Sequence, residues 1–152
     1  MYNDTITLFN AYKDKTKAVH WYPSVLHNVK LNMDKAAIIA KYGAESQDKA
    51  VLNVRYQIVD GNKMIGDKKW LPPKEWSRQA TEFLADSITF ADGQNFDFFY
   101  VGDWGSEESI ADDAYGVDGF YNYMNKQYDY VFAISSVGGP YSVIPHFEIL
   151  GK

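Results

Sequence analysis

Two runs near the end of the chain constrain it most: Tyr128 to Val137 (YDYVFAISSV) and Tyr141 to Leu150 (YSVIPHFEIL), joined by Gly138-Gly139-Pro140. Both are crowded with aromatic and β-branched residues, which suit a pleated, half-buried surface. The joining triplet offers positive-φ freedom followed by a fixed φ, so the segment predicts a β-hairpin that turns at 138–140. A chain segment tied into a sheet by ladder hydrogen bonds is anchored, which makes sheet architecture the first expectation.

Upstream the same kind of pattern recurs. Ile6-Thr7-Leu8-Phe9 is a short β-like run, and Lys13 to Lys17 (KDKTK) is a polar turn. After Pro23, Val25, His27, Val29, Leu31 and Met33 alternate with Leu26, Asn28, Lys30 and Asn32, the mark of a strand with one buried face. In Asp34 to Tyr42, Asp34 would cap a short helix while Ile38 and Ile39 suit a strand; the turn signal from Gly43 to Ser46 favours the strand. Val51 to Val59 sets Leu52, Val54, Tyr56 and Ile58 on one face, and Asp60-Gly61 then turns the chain back through Met64 and Ile65. Leu71-Pro72-Pro73 breaks any ladder, and Pro73 opens a predicted helix to about Phe83. Ile88 to Phe90 and Phe96 to Val101 read as strands around Ala91-Asp92-Gly93, and Asp118 to Tyr128 reads as a short helix with Phe120, Tyr123, Met124 and Tyr128 near helical spacing. The sum predicts a mainly β fold, a small antiparallel β-barrel or sandwich with one or two short helices. It predicts a single domain over 1–152, with an acidic loop and short-helix insertion at about 97–126.

Length and composition bound the function classes. A chain of 152 residues buries roughly two thirds of its unfolded surface, enough for a core without staples. The absence of cysteine removes disulfides, thiolate ligands and a thiol nucleophile together, and is compatible with a reducing cytoplasm. No apolar run approaches the ~20 residues that span a bilayer, and MYNDTITLFN lacks a basic start and a long apolar core, so neither a membrane partner nor a targeting segment is expected. The formal charge of -5 argues against specific duplex binding. The acids concentrate in 97 to 118: Asp97, Asp103, Glu107, Glu108, Asp112, Asp113 and Asp118, with no Lys or Arg among them. Such a cluster reads as a solvated loop, or as a negative face for a basic partner.

No constellation announces chemistry, so no catalytic residue, metal ligand or cofactor is assigned. His20, His27 and His146 form no helical pair around a Glu, and a zinc site would have to assemble from distant strands. The pairs Glu107-Glu108 and Asp112-Asp113, with Trp104 and Tyr115 as stacking platforms, suggest a carbohydrate-binding or glycan-cleaving loop, although adjacent acids in an extended segment do not face one another. Trp70-Leu71-Pro72-Pro73-Lys74-Glu75-Trp76 brackets two prolines with two tryptophans. A stiff aromatic segment that cannot join a sheet makes a docking element; equally, both rings could cap the end of a barrel. The candidate interface is therefore Trp70, Pro72, Pro73, Trp76, Trp104, Glu107, Glu108, Asp112 and Asp113.

Five blocks, DTITLFN, WYPSVLHNV, LPPKEW, ITFADGQNFDFF and AISSVGGPYSVIPHFEILGK, resemble a family of prophage proteins that are similar in size and genome position to the head-completion or stopper proteins of long-tailed bacteriophages. The resemblance covers nearly the whole chain, and it carries no catalytic residues. It implies a small β-barrel that forms a homo-oligomeric ring in the virion, between the portal region and the tail, and leaves open whether the isolated chain is a monomer. Its partners would be other connector, portal or tail proteins, and DNA would pass without specific binding. The expectation is a non-enzymatic structural protein of head closure or head-tail joining, present in the virion and, during assembly, in the host cytoplasm. A glycan-directed domain and a tail-completion protein are the alternatives.

Overall fold

Eleven strands and three short α-helices make up the computed structural model, which describes residues 1–152. In chain order they are β1 (Asp4–Lys13), β2 (Val19–Asn32), α1 (Lys35–Tyr42), β3 (Ala50–Arg55), β4 (Gln57–Val59), β5 (Asn62–Ile65), β6 (Lys68–Trp70), α2 (Pro73–Ser77), β7 (Ser87–Ile88), β8 (Phe98–Val101), β9 (Ile110–Ala111), α3 (Gly119–Gln127), β10 (Val131–Tyr141) and β11 (His146–Gly151). The fold is mainly β. The large sheet is antiparallel, in the order β1-β8-β10-β11-β3-β2-β9, and β1 also pairs with β2. Its pairings thus run round a curled, barrel-like wall, without a formally closed barrel; the β2–β3 seam is only Lys30 to Asn32 against Asn53 to Val51. A smaller sheet, β4-β5-β6-β7, ends in a parallel β6–β7 pair.

Period-two alternation explains why the richest apolar runs lie in β1 and β8. Leu8 and Phe99 point inward, into a core with Leu26, Leu52, Val54, Phe132, Phe147 and Ile149. Phe9 and Phe98 point outward and are covered by Phe120 and Met124 of α3, beside Trp21. Phe9 stacks on Phe98 with centroids 4.8 Å apart. Both faces of these strands are dry, so a continuous apolar run is what they require. A third cluster, Leu71, Trp76 and Leu84, packs under Tyr12 and Tyr22.

Five expectations need correction. Residues 35–42 are helical because Asp34 caps them, accepting Ala36 N at 3.0 Å, and only Ile38 is buried, which one helical face can supply. The alternation in β2 breaks at a bulge: His27 and Asn28 oppose Thr5 alone, Asn28 takes φ 57°, and both Leu26 and Val29 turn inward while His27 is exposed. The run from Val51 to Val59 is interrupted after Arg55, and Ile58 faces solvent. The helix from Pro73 stops at Ser77, and a 3-10 turn over Thr81–Asp86 follows an extended Ala80. The closing hairpin exists, but Gly138-Gly139-Pro140 lies inside β10 as an irregular stretch and the chain reverses at 142–145. The Asp60-Gly61 turn is as expected, both residues having positive φ (52° and 80°).

Candidate functional site

The expected interface residues divide by burial. Trp76 is 1 % exposed and donates its indole N–H to the Ser87 carbonyl at 3.1 Å, so it belongs to the core. Trp70 is half-buried and packs on Phe147 at 4.9 Å. Of that segment, Pro72 and Pro73 remain exposed. Trp104 packs edge-on against Phe9 and Phe120, and Tyr115 lies against Phe120 and Tyr123, so the two proposed stacking platforms are engaged within one aromatic cluster.

The acidic stretch also divides. Asp103, Glu107, Glu108, Asp113 and Asp118 are exposed. Glu107 reaches Lys68 Nζ at 3.5 Å, and that buried ammonium also donates to Ser24 Oγ at 2.8 Å, which ties the loop to β2 and β6. Asp112 turns inward: its Oδ1 accepts Trp21 Nε1 at 2.9 Å and the Phe120 amide at 2.8 Å, fixing the start of α3. Asp97, in the loop just before β8, is not solvated. It is 1 % exposed, and burial pushes its pKa up to about 7, partly offset by donors at Ala11 N, Asn10 Nδ2 and Ala91 N.

The histidines stand apart, each with its own neighbour. His20 meets Asp14 at 3.0 Å, His27 meets Thr5 Oγ1 at 3.1 Å, and His146 Nδ1 meets the Ile144 carbonyl at 2.6 Å. The Thr16 hydroxyl, then His20, hold Asp14 down to about 2. No three His, Asp or Glu side chains converge as a metal site would need.

Two features were not anticipated. One is an apolar tip where β10 turns into β11. Val143 is 84 % and Ile144 69 % exposed, with Tyr141 beside them. Tyr56 holds the turn, donating its hydroxyl to the Tyr141 carbonyl at 2.7 Å and its amide to the Pro145 carbonyl at 3.3 Å. Directly after Tyr56 comes β4, exposed throughout, with Ile58 and Val59. Ile144 has φ 51°, a conformation in which a β-branched residue is strained by about 1–2 kcal/mol. Here a strained residue is also an exposed apolar one. Such outliers persist only when their surroundings hold them, and they concentrate at functional positions.

The other feature is a cleft of about 590 Å³. It brings together pieces the sequence keeps far apart: Lys13 and Trp21 from the first hairpin, Lys74 and Trp76 from α2, Asp112, and the segment from Thr89 to Asp97. Five segments contribute, so no local motif marks it.

A family model described as a family of unknown function (DUF6751) matches residues 1–152. The chain belongs to this family. Among curated proteins and among solved structures, nothing matches it. The family's description gives no function, so the tip and the cleft stand on geometry alone.

Proposed function

We propose that this DUF6751 protein is a structural subunit that works by fitting against neighbouring protein subunits, in head closure or head-tail joining of a prophage-derived particle. The observation that carries the reading is the tip: Tyr141, Val143 and Ile144 exposed together where β10 turns into β11, with Ile144 strained. Apolar residues gathered at one turn, one of them held in a costly conformation, fit a contact that another subunit covers. The setting comes from the resemblance of the five sequence blocks to prophage head-completion proteins. In that setting the occupant is the adjacent subunit of the connector. The exposed acids from Asp103 to Asp118 suit a wall past which DNA moves, because carboxylates and phosphates repel.

The test replaces Val143 and Ile144 together by Ser in an inducible prophage and examines the induced particles by electron microscopy. Tailless or emptied heads are expected, with the purified variant still folded by circular dichroism. Complete, DNA-filled, infectious particles would refute the role of the tip. Unaltered particles on deletion of the whole gene would refute the assembly reading itself.

A further inference from the structure

The cleft contains a buried polar atom that the fold leaves unused. Thr89, on its wall, is 2 % exposed, and its hydroxyl oxygen has no hydrogen-bond partner. Beside it lies Asp97, which Asn10 links to the Thr89 backbone: Asn10 Nδ2 donates to the Thr89 carbonyl at 2.7 Å and to Asp97 Oδ2 at 2.9 Å. These two acceptors fix the orientation of the Asn10 amide, since a flip would turn its oxygen onto a carbonyl and a carboxylate. The fixed orientation leaves Asn10 Oδ1 unpartnered as well. Asp97 Oδ1 accepts one bond, from Ala11 N at 2.8 Å, and so has capacity for another. Around this wall the unused groups are one donor, the Thr89 O–H, and more numerous acceptor sites on Thr89 Oγ1, Asn10 Oδ1 and Asp97 Oδ1, so acceptors are in excess. Buried polar groups are satisfied in the great majority of native structures, so a pair of unused atoms beside an open cleft calls for an explanation.

Charge points the same way. Asp92, Asp97 and Asp112 line the cleft against Lys13 and Lys74, and none of the five is in an ion pair. An entering cation would offset the desolvation of the Asp97 carboxylate and give it the opposite charge it lacks. We propose that the cleft binds a primary ammonium group, seated against Thr89 Oγ1 and the Asp97 carboxylate. An ammonium supplies three donors and no acceptor, which matches the deficit. The proposal does not depend on the assembly role of the tip, which lies on other elements.

The experiment uses the full chain, isotope-labelled, titrated with ethanolamine, with capped lysine and with acetate, and followed by amide chemical shifts. Saturable shifts at Thr89, Ala91 and Asp97 with the amines, and none with acetate, are expected. Stronger binding of capped lysine than of ethanolamine identifies the source as a protein side chain; the reverse identifies a free amine. The decisive variant is Thr89→Val, which keeps the shape and removes an unpaired hydroxyl. It should melt at the same temperature as the wild type or higher, while binding weakens about tenfold, the equivalent of one lost hydrogen bond. Absence of saturable shifts with either amine overturns the proposal, as does unchanged binding in Thr89→Val. If that variant unfolds, Asp92→Asn, an exposed position on the same cleft, replaces it: weaker amine binding supports the site and unchanged binding overturns it.

Discussion

Asn10 and Asp97 meet out of solvent, the side-chain amide of one donating to the carboxylate of the other at 2.9 Å. The same carboxylate accepts backbone amides at Ala11 and Ala91, so both of its oxygens face N–H groups. An amide in its place must direct an NH₂ at one of them. Asp97→Asn should therefore destabilise the chain by about 1–3 kcal/mol, the cost of a buried donor left facing a donor. Urea unfolding of the two proteins checks this, and equal midpoints would contradict it.

The titration of Asp97 has a definite sign. Burial pushes its pKa from the ordinary 3.8 up to about 7, so the folded chain holds this proton more tightly than the unfolded chain does. The associated stability is fully present below the unfolded value and is lost as pH rises through the folded one. Between 3.8 and about 7 this group should lower stability by about 1.4 kcal/mol per pH unit. A carboxyl carbon resonance that titrates near neutrality is the direct check; a midpoint in the ordinary carboxylate range would contradict it.

Trp76 distinguishes a docking ring from a core ring. At 1 % exposure, with its indole N–H bonded to Ser87, it should cost about 3–5 kcal/mol when replaced by Ala. Thermal melts measure the effect. A variant that melted normally would return Trp76 to the surface.

Asp112 acts through one oxygen, which accepts both Trp21 Nε1 and the Phe120 amide. Asp112→Asn retains such an oxygen and should change stability little. Asp112→Ala leaves both donors without it and should cost about 1–3 kcal/mol. Equal melting of the two variants would show that the charge, and not the acceptor, matters.

Ile144 predicts a trade between stability and contact. With φ 51° it is strained, and Ile144→Gly should stabilise the isolated chain by up to about 1 kcal/mol while removing an exposed apolar group. Denaturant midpoints test the first effect, and the particle assay of the proposed assembly role tests the second. A destabilised variant would show that Ile144 packs within its own chain.

Much of the fold was legible where local chemistry and burial agree. The Asp60-Gly61 turn, the helix from Gly119 and the strand pair at 131–151 follow from residue types and spacing. Where they compete, the reading slipped. Ile38 and Ile39 resemble strand residues, yet the Asp34 cap and a single buried position decide for a helix. Asn28 absorbs a positive φ that the alternation of its neighbours conceals. The tip was harder still, since YSVIP reads as strand interior, and only the displacement of the turn to 142–145 leaves Val143 and Ile144 beyond the core. Neither the burial of Trp76 nor the five-segment cleft leaves a local trace, because both arise from contacts between distant residues.

In β8, Phe98 and Phe99 belong to different apolar clusters on opposite sides of one backbone. The layer under α3 and the interior of the curled sheet thus share a partition a single strand thick. Detaching the helix would wet one surface of that partition and loosen the ladder that the other surface needs. Because that partition is shared, the two clusters are expected to be lost together, and the molecule to unfold as one cooperative unit.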